Sequence, residues 1–324
     1  MKGKKIAYFG ILVIALILLP LIINKDFLIH VFILILMYGM AGQAWDLIGG
    51  QTGQIALGHA VFFGIGAYTS AFLFITFDIT PWIGMIAGGF ISVIVALIIG
   101  YPCFKLRGHY FLLATLGIAE IARTIFANWD MVGGSQGLFI PLMDESFLAF
   151  QFHTSKLPYY YIILGLAGLA FLVTVFVKRS KLGYYFNAIR EDEEAAKAMG
   201  INVQKFKFIA FSMSAFLTSI AGTFYAQYLM YVDPGSVVPF MLSVQIVLIA
   251  ILGGMGTNYG PFLGALVLIP LSEVSRQIFG GGGAGFHLII YGLLIVLISI
   301  YQPAGLAGWI ESLLKKRKKS AEVN

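Results

Sequence analysis

The chain has 324 residues, of which 59% are hydrophobic and 11% charged, with a formal net charge of +6. Soluble domains carry about 25% charged residues, so the composition excludes an ordinary soluble enzyme and indicates an all-α polytopic membrane protein. The basic residues gather at the N-terminus, in a central loop and in the tail Lys315–Lys319, which is the distribution of segments kept on the cytoplasmic side and not of a nucleic-acid binder.

Lys2, Lys4 and Lys5 precede an apolar run from Ile6 to Ile23. A signal peptide shares this order, but the run is long and no small-x-small cleavage site follows it, which favours an uncleaved first span. Phe27–Ile48 is the second span, with Gln43 and Asp46 near its end. Gly49–Ala71 is dense in glycine, at Gly49, Gly50, Gly53, Gly58, Gly64 and Gly66. Two readings stand for it. The small pairs Ala60/Gly64 and Gly66/Ser70 suit close helix packing; alternatively the helix is discontinuous and its open backbone groups face a path. His59 reads first as a satisfied interior histidine and only second as a ligand.

Trp82–Tyr101 is a further span, followed by a basic turn with Lys105 and Arg107, and Tyr110–Asn128 spans back. In that span Glu120 and Arg123 share one helical face. They are either a self-neutralising structural pair or, as the second reading, part of a passage, because ionisable groups in a membrane turn to the bundle interior or to water. Trp129–Leu157 is a polar interruption nearly free of Lys and Arg, as an outer loop should be. Its Gly133-Gly134-Ser135-Gln136-Gly137 run lacks the ending and the strand–helix context of a phosphate loop.

Pro158–Val177 leads into the longest polar interruption, Ser180–Lys207. Its composition predicts one capped amphipathic helix over Asn187–Met199, with Asn187 as the cap, acidic residues in the first turns and alanines after them. Glu193 and Lys197 are spaced for an i,i+4 ion pair, and Gly200 suits a left-handed stop. Phe208–Met230 spans outward, Asp233-Pro234-Gly235 turns, and Val237–Gly253 returns. A second glycine cluster follows at Gly253, Gly254, Gly256, Gly260 and Gly264. The last three recur every fourth residue, which predicts one helix face. Paired glycine-interrupted segments in two halves of a chain point to a central path. Pro261–Phe279, carrying Glu273 and Arg276, the loop Gly280–Gly285 and the span His287–Tyr301 complete the membrane part.

Several of these stretches carry a family resemblance. Glu194-Ala195-Ala196 followed by three residues and Gly200 resembles the EAA loop of bacterial ABC importer permeases. The wider run REDEEAAKAMGIN is similar to branched-chain amino-acid permeases of the LivH/LivM type, LivM most of all. GQIALGHAVFFGIGAYTSA, from Gly53, resembles that family's GQxSLGHAAFFGIGAYTAA, with Ala56 where a serine is common. RGHYFLLATLGIAEI from Arg107, the Gly133–Leu138 run with Val132 in place of threonine, the Asp233-Pro234 turn and ILGGMGTNYGPFLGA from Ile251 follow in family order. Together they cover roughly Asp46 to Ala265.

Counted once each, the apolar runs give about ten transmembrane helices, within roughly eight to eleven, and the resemblance implies a type II-like ABC importer permease fold with glycine-broken central helices. Residues 1–310 are then a single transmembrane domain, 180–207 its cytoplasmic loop with a coupling helix, and 311–324 a basic cytoplasmic tail. It implies that Arg190, Glu191, Asp192, Glu193, Glu194, Ala195, Ala196, Met199 and Gly200 meet an ATPase. It implies a translocation path at Gly53, Gln54, Leu57, Gly58, His59, Phe62, Phe63, Gly253, Gly254 and Gly256. The expected partners are a second homologous permease subunit, two cytoplasmic ABC ATPases, an extracytoplasmic substrate-binding protein and the lipid bilayer. The expected place is the bacterial inner membrane with both termini cytoplasmic. Leucine, isoleucine and valine are the default cargo; urea, short amides or another amino acid are the alternatives.

No cofactor, metal or catalytic site is expected. An intramembrane enzyme needs clustered chemistry, yet His30, His59, His109, His153 and His287 are scattered without an HExxH pattern, and the single cysteine, Cys103, has no neighbouring histidine. The absence of a Walker motif assigns ATP to another chain. An ion-coupled secondary transporter or channel using Glu120 or Glu273 is the other alternative, and ATP-independent uptake by this chain alone would distinguish it.

Overall fold

The protein is described by a computed structural model covering residues 14–21, 25–106, 108–279, 292, 305–309 and 312. Among these residues, seven helices are long and apolar enough to cross a membrane. The expected first span is described only over residues 14–21, which are helical. Gly280–Gly285, the span His287–Tyr301, the Arg107 end of the basic turn, the Arg276 side chain and the basic tail lie outside the described residues.

In chain order the helices are α1 (Asp26–Asp46), α2 (Gly49–Thr52), α3 (His59–Phe77), α4 (Pro81–Cys103), α5 (His109–Ala127), α6 (Leu157–Arg179), α7 (Lys181–Glu191), α8 (Glu193–Ala198), α9 (Val203–Leu229), α10 (Pro234–Val237), α11 (Phe240–Gly253) and α12 (Gly260–Phe279). A two-stranded antiparallel ribbon pairs β1 (Leu138–Phe139) with β2 (Tyr231–Val232), in the register Leu138 to Val232. It fastens the loop after α5 to the end of α9. Asp233 does more than turn the chain: its Oδ2 accepts the Gly235 and Ser236 N–H groups at 2.9 and 3.2 Å and caps α10.

In lipid, apolar burial gives helices no net reason to associate, so backbone proximity and interior hydrogen bonds must supply it. The chain achieves this along α9, which packs on α3, α4 and α1. Small residues set the distance. A Cβ on Gly222 would stand 1.9 Å from the Phe63 carbonyl oxygen, and one on Gly66 would stand 2.0 Å from that of Ser219. Thr223 Oγ1 donates to the Gly66 carbonyl at 2.9 Å, and His59 Nε2 and Ser214 Oγ lie 2.7 Å apart. Hydroxyls and glycines thus share one seam, the glycines permitting the close approach and Thr223 and Ser214 adding hydrogen bonds across it. α11 and α12 meet in the same way, since a Cβ on Gly264 would lie 1.9 Å from the Ile249 carbonyl oxygen.

Candidate functional site

The polar segment between α6 and α9 is two helices rather than one. Ser180 Oγ accepts the Leu182 N–H at 3.2 Å and starts α7. The chain becomes extended at Asp192, and Asp192 Oδ1 accepts the N–H groups of Glu194 and Ala195 at 2.8 and 2.9 Å to start α8. The expected cap at Asn187 is therefore corrected: Asn187 lies inside α7, and Asp192 caps α8 with a negative charge that the positive end of the helix dipole favours. The predicted Glu193–Lys197 pair forms at 3.2 Å. Gly200 has φ +82°, a conformation that costs an L-residue about 1–2 kcal/mol.

α8 and the residues flanking it present Glu191, Asp192, Glu194, Ala195, Met199 and Gly200 at the surface. Met199 is 82% exposed, an apolar side chain standing out of a polar loop. Two of the expected contact residues point inward instead. Ala196 packs with Ile189 and Val203 in a small core separate from the main one. Glu193 Oε2 accepts from Lys207 Nζ at 2.6 Å, which ties α8 to the first turns of α9. Burial works to raise the Glu193 carboxyl, but Lys207 and then Lys197 hold it below the ordinary value of 4.5.

Both glycine-rich regions are broken helices. The first break runs from Gly53 to Gly58 and the second from Gly254 to Tyr259. Gly256 belongs to the second turn, at φ +73°, and does not share a helix face with Gly260 and Gly264. The prediction failed there because a fourfold spacing is blind to a left-handed residue that ends the helix. The first break is closed by side chains from distant elements: Trp45 Nε1 donates to the Ala56 carbonyl at 2.8 Å, Leu57 N–H to Thr115 Oγ1 at 3.0 Å and Ala60 N–H to Ser243 Oγ at 2.9 Å. The open backbone groups foreseen there are thus largely satisfied by protein. Of the expected path residues, His59, Phe62 and Phe63 are fully buried and Gly58, Gly253 and Gly254 are buried, whereas Gly53 is exposed and Gln54, Leu57 and Gly256 are intermediate. His59 Nδ1 has no hydrogen-bond partner among the described residues.

Glu120 and Arg123 form their pair, with half or nearly half of each side chain exposed. They occupy an outer face of α5, the least buried of the candidate spans at 22%, and not the interior of this chain.

What the sequence reading missed is how the two breaks meet. Asp46 Oδ1 accepts the Gly256 N–H at 2.7 Å, and Arg190 Nη1 donates to the Gly50 carbonyl at 2.6 Å. Lys178 Nζ donates to the Gly256 carbonyl. An acidic residue near the end of an apolar span, with Gly42 before it and Gly49 and Gly50 after it, was the signal available for Asp46.

A sequence-family profile described as "Branched-chain amino acid transport system / permease component" matches residues 27–299. The chain belongs to this permease family. The LivM high-affinity branched-chain amino acid permease of Salmonella typhimurium is 29% identical over 309 residues, covering 89% of this chain and 71% of the relative. The LivH protein of the same organism is 25% identical, covering 84% and 91%. A probable LivM of Methanocaldococcus jannaschii is 26% identical, covering 67% of each. No solved structure matches the permease. Its relatives are named as transport permease proteins and not as enzymes, and with its apolar helices this makes it a multi-pass membrane permease.

Proposed function

We propose that this permease moves branched-chain amino acids into the cell as one subunit of an ABC importer, and that α8 is the part gripped by the cytoplasmic ATPase. The observation that carries the reading is the construction of α8. It is separately capped, it holds its own small core, and it presents an exposed methionine and an acidic rim on a loop between two membrane spans. An isolated six-residue helix is far too short to be stable in water without such supports. Glu191, Asp192, Glu194, Ala195, Met199 and Gly200 form the docking face. Glu193, Ala196 and Arg190 hold that face to the membrane part.

In this reading residues 1–310 are one translocating unit and 311–324 a cytoplasmic tail. A second homologous permease, two ATPases and an extracytoplasmic binding protein complete the assembly in the inner membrane. The excess of Lys and Arg at both ends and around α7 supports placing them on the cytoplasmic side. Movement of α8 shifts the two glycine breaks, and the passage beside Gly53, Gln54, Leu57 and Gly256 changes the side to which it opens. The buried members of the expected path, His59, Phe62 and Phe63, act as its wall. In the reconstituted complex, Glu194→Arg should abolish binding-protein-stimulated ATP hydrolysis and leucine uptake while leaving the permease folded. Normal values of both would refute the docking role.

A further inference from the structure

We infer that Asp46, Lys178 and Arg190 form the joint through which movement of α8 reaches both glycine breaks, with Arg190 as its positioning residue. The inference rests on the docking reading and adds where the force goes. Lys178 ends α6 and Arg190 lies in the last turn of α7, so the two cations fasten both ends of α7. Each grips a different break. Arg190 donates to the Gly50 carbonyl, in the short helix α2 that leads into the first break, and its Cγ would stand 3.5 Å from a Cβ added at Gly53, where that break begins. Lys178 donates to the Gly256 carbonyl, in the turn between α11 and α12. Asp46 joins the turns to each other through the Gly256 N–H, and Lys178 and Arg190 are the cations that face its carboxylate.

The glycines are what make the joint fit. A Cβ on Gly50 would stand 1.9 Å from Asp46 Oδ1 and 2.5 Å from the Gly256 nitrogen, while one on Gly256 would stand 2.3 Å from Arg190 Nη1. Asp46 is fully buried, and its Oδ2 has no hydrogen-bond partner among the described residues. A buried carboxylate oxygen without a donor is costly, and it offers a second seat to a guanidinium displaced from the Gly50 carbonyl. The joint therefore has two arrangements, which a device that transmits motion requires. α8 begins directly after Arg190, Glu191 and Asp192, so a push on the docking face acts on Arg190 with almost no intervening chain.

The test is leucine uptake per ATP hydrolysed, measured on the whole complex with its ATPases and binding protein in proteoliposomes. Arg190→Gln should lower this ratio about fivefold or more, the low end of ordinary coupling energies, while the ATPases still co-purify. Arg190→Lys, which keeps the charge, should recover part of it. Asp46→Asn keeps an acceptor for the Gly256 N–H but removes the charge, and should lower the ratio as well. A merely structural Arg190 would reduce uptake and hydrolysis together, leaving the ratio unchanged, and that result overturns the inference. If Arg190→Gln does not accumulate, a folded Asp46→Asn complex with an unchanged ratio overturns it equally. Failure of the docking reading would show separately, as normal activity of Glu194→Arg.

Discussion

Two groups of glycines in this permease do opposite work. Along the seam of α9 with α3, Gly222 and Gly66 bring backbones together, and any side chain there would meet a carbonyl at about bond-like distance. In α2 and in the α11–α12 turn, Gly50 and Gly256 leave room for charged side chains, Asp46 and Arg190. The first group fixes a distance that must not change. The second makes space for contacts that exchange one polar partner for another. Glycine content alone does not separate a rigid region from a mobile one; what the missing side chain would strike does.

That contrast breaks most sharply at Gly222→Val. Overpacking a well-filled interior costs about 1–3 kcal/mol and sometimes more. Here the obstacle is the Phe63 backbone and not a movable side chain, so loss of folded permease from the membrane is expected, read as expression and detergent-extracted thermal stability. Wild-type stability would show that the seam is looser than described. A smaller effect is expected at the connector. Glu193→Gln keeps an acceptor for Lys207 but removes the charge, and so forfeits part of a charged hydrogen bond worth about 1.5–3 kcal/mol, with the Lys207 ammonium still buried. Hydrogen exchange across α8 should accelerate while the spans stay protected. Because the Glu193 carboxyl lies below its usual value of 4.5, its stabilisation is complete above that value and is lost as pH falls through the lower folded one. Acid should therefore reproduce the effect of the substitution in the wild type and add little to it in Glu193→Gln. The smallest effect is expected at Gly165 on α6, where an added Cβ would meet nothing within 4 Å. Gly165→Ala should raise thermal stability by about 0.5 kcal/mol, the helical preference of alanine, with transport unchanged; a marked loss would reveal a neighbour on that face.

The spans were legible because hydropathy and length are local properties: α1, α4, α5, α6 and α9 begin and end within about five residues of the apolar runs. The Glu193–Lys197 pair and the Gly200 stop were legible for the same reason, since spacing along one helix decides them. The break at Asp192 was not, because a single extended residue between two helical compositions leaves no periodic trace. The inward turn of Ala196 and Glu193 and the reach of Arg190 to Gly50 were hidden too, as each depends on a partner in another helix: Val203, Lys207 and Gly50. The closing of the first break by Trp45, Thr115 and Ser243 is the same kind of information. Pairing across long separations is set by packing, and one sequence does not display it.

The central claim is that α8 is a cytoplasmic handle held by the ATPase. Cys103, the only cysteine, is buried, so a single Met199→Cys substitution reports on α8 with little background. In the assembled complex this cysteine should cross-link to the ATPase subunit, with a yield that changes on ATP binding, and should resist membrane-impermeant maleimide added outside intact cells. Ready labelling from outside, or no cross-link to the ATPase in either nucleotide state, would contradict the account.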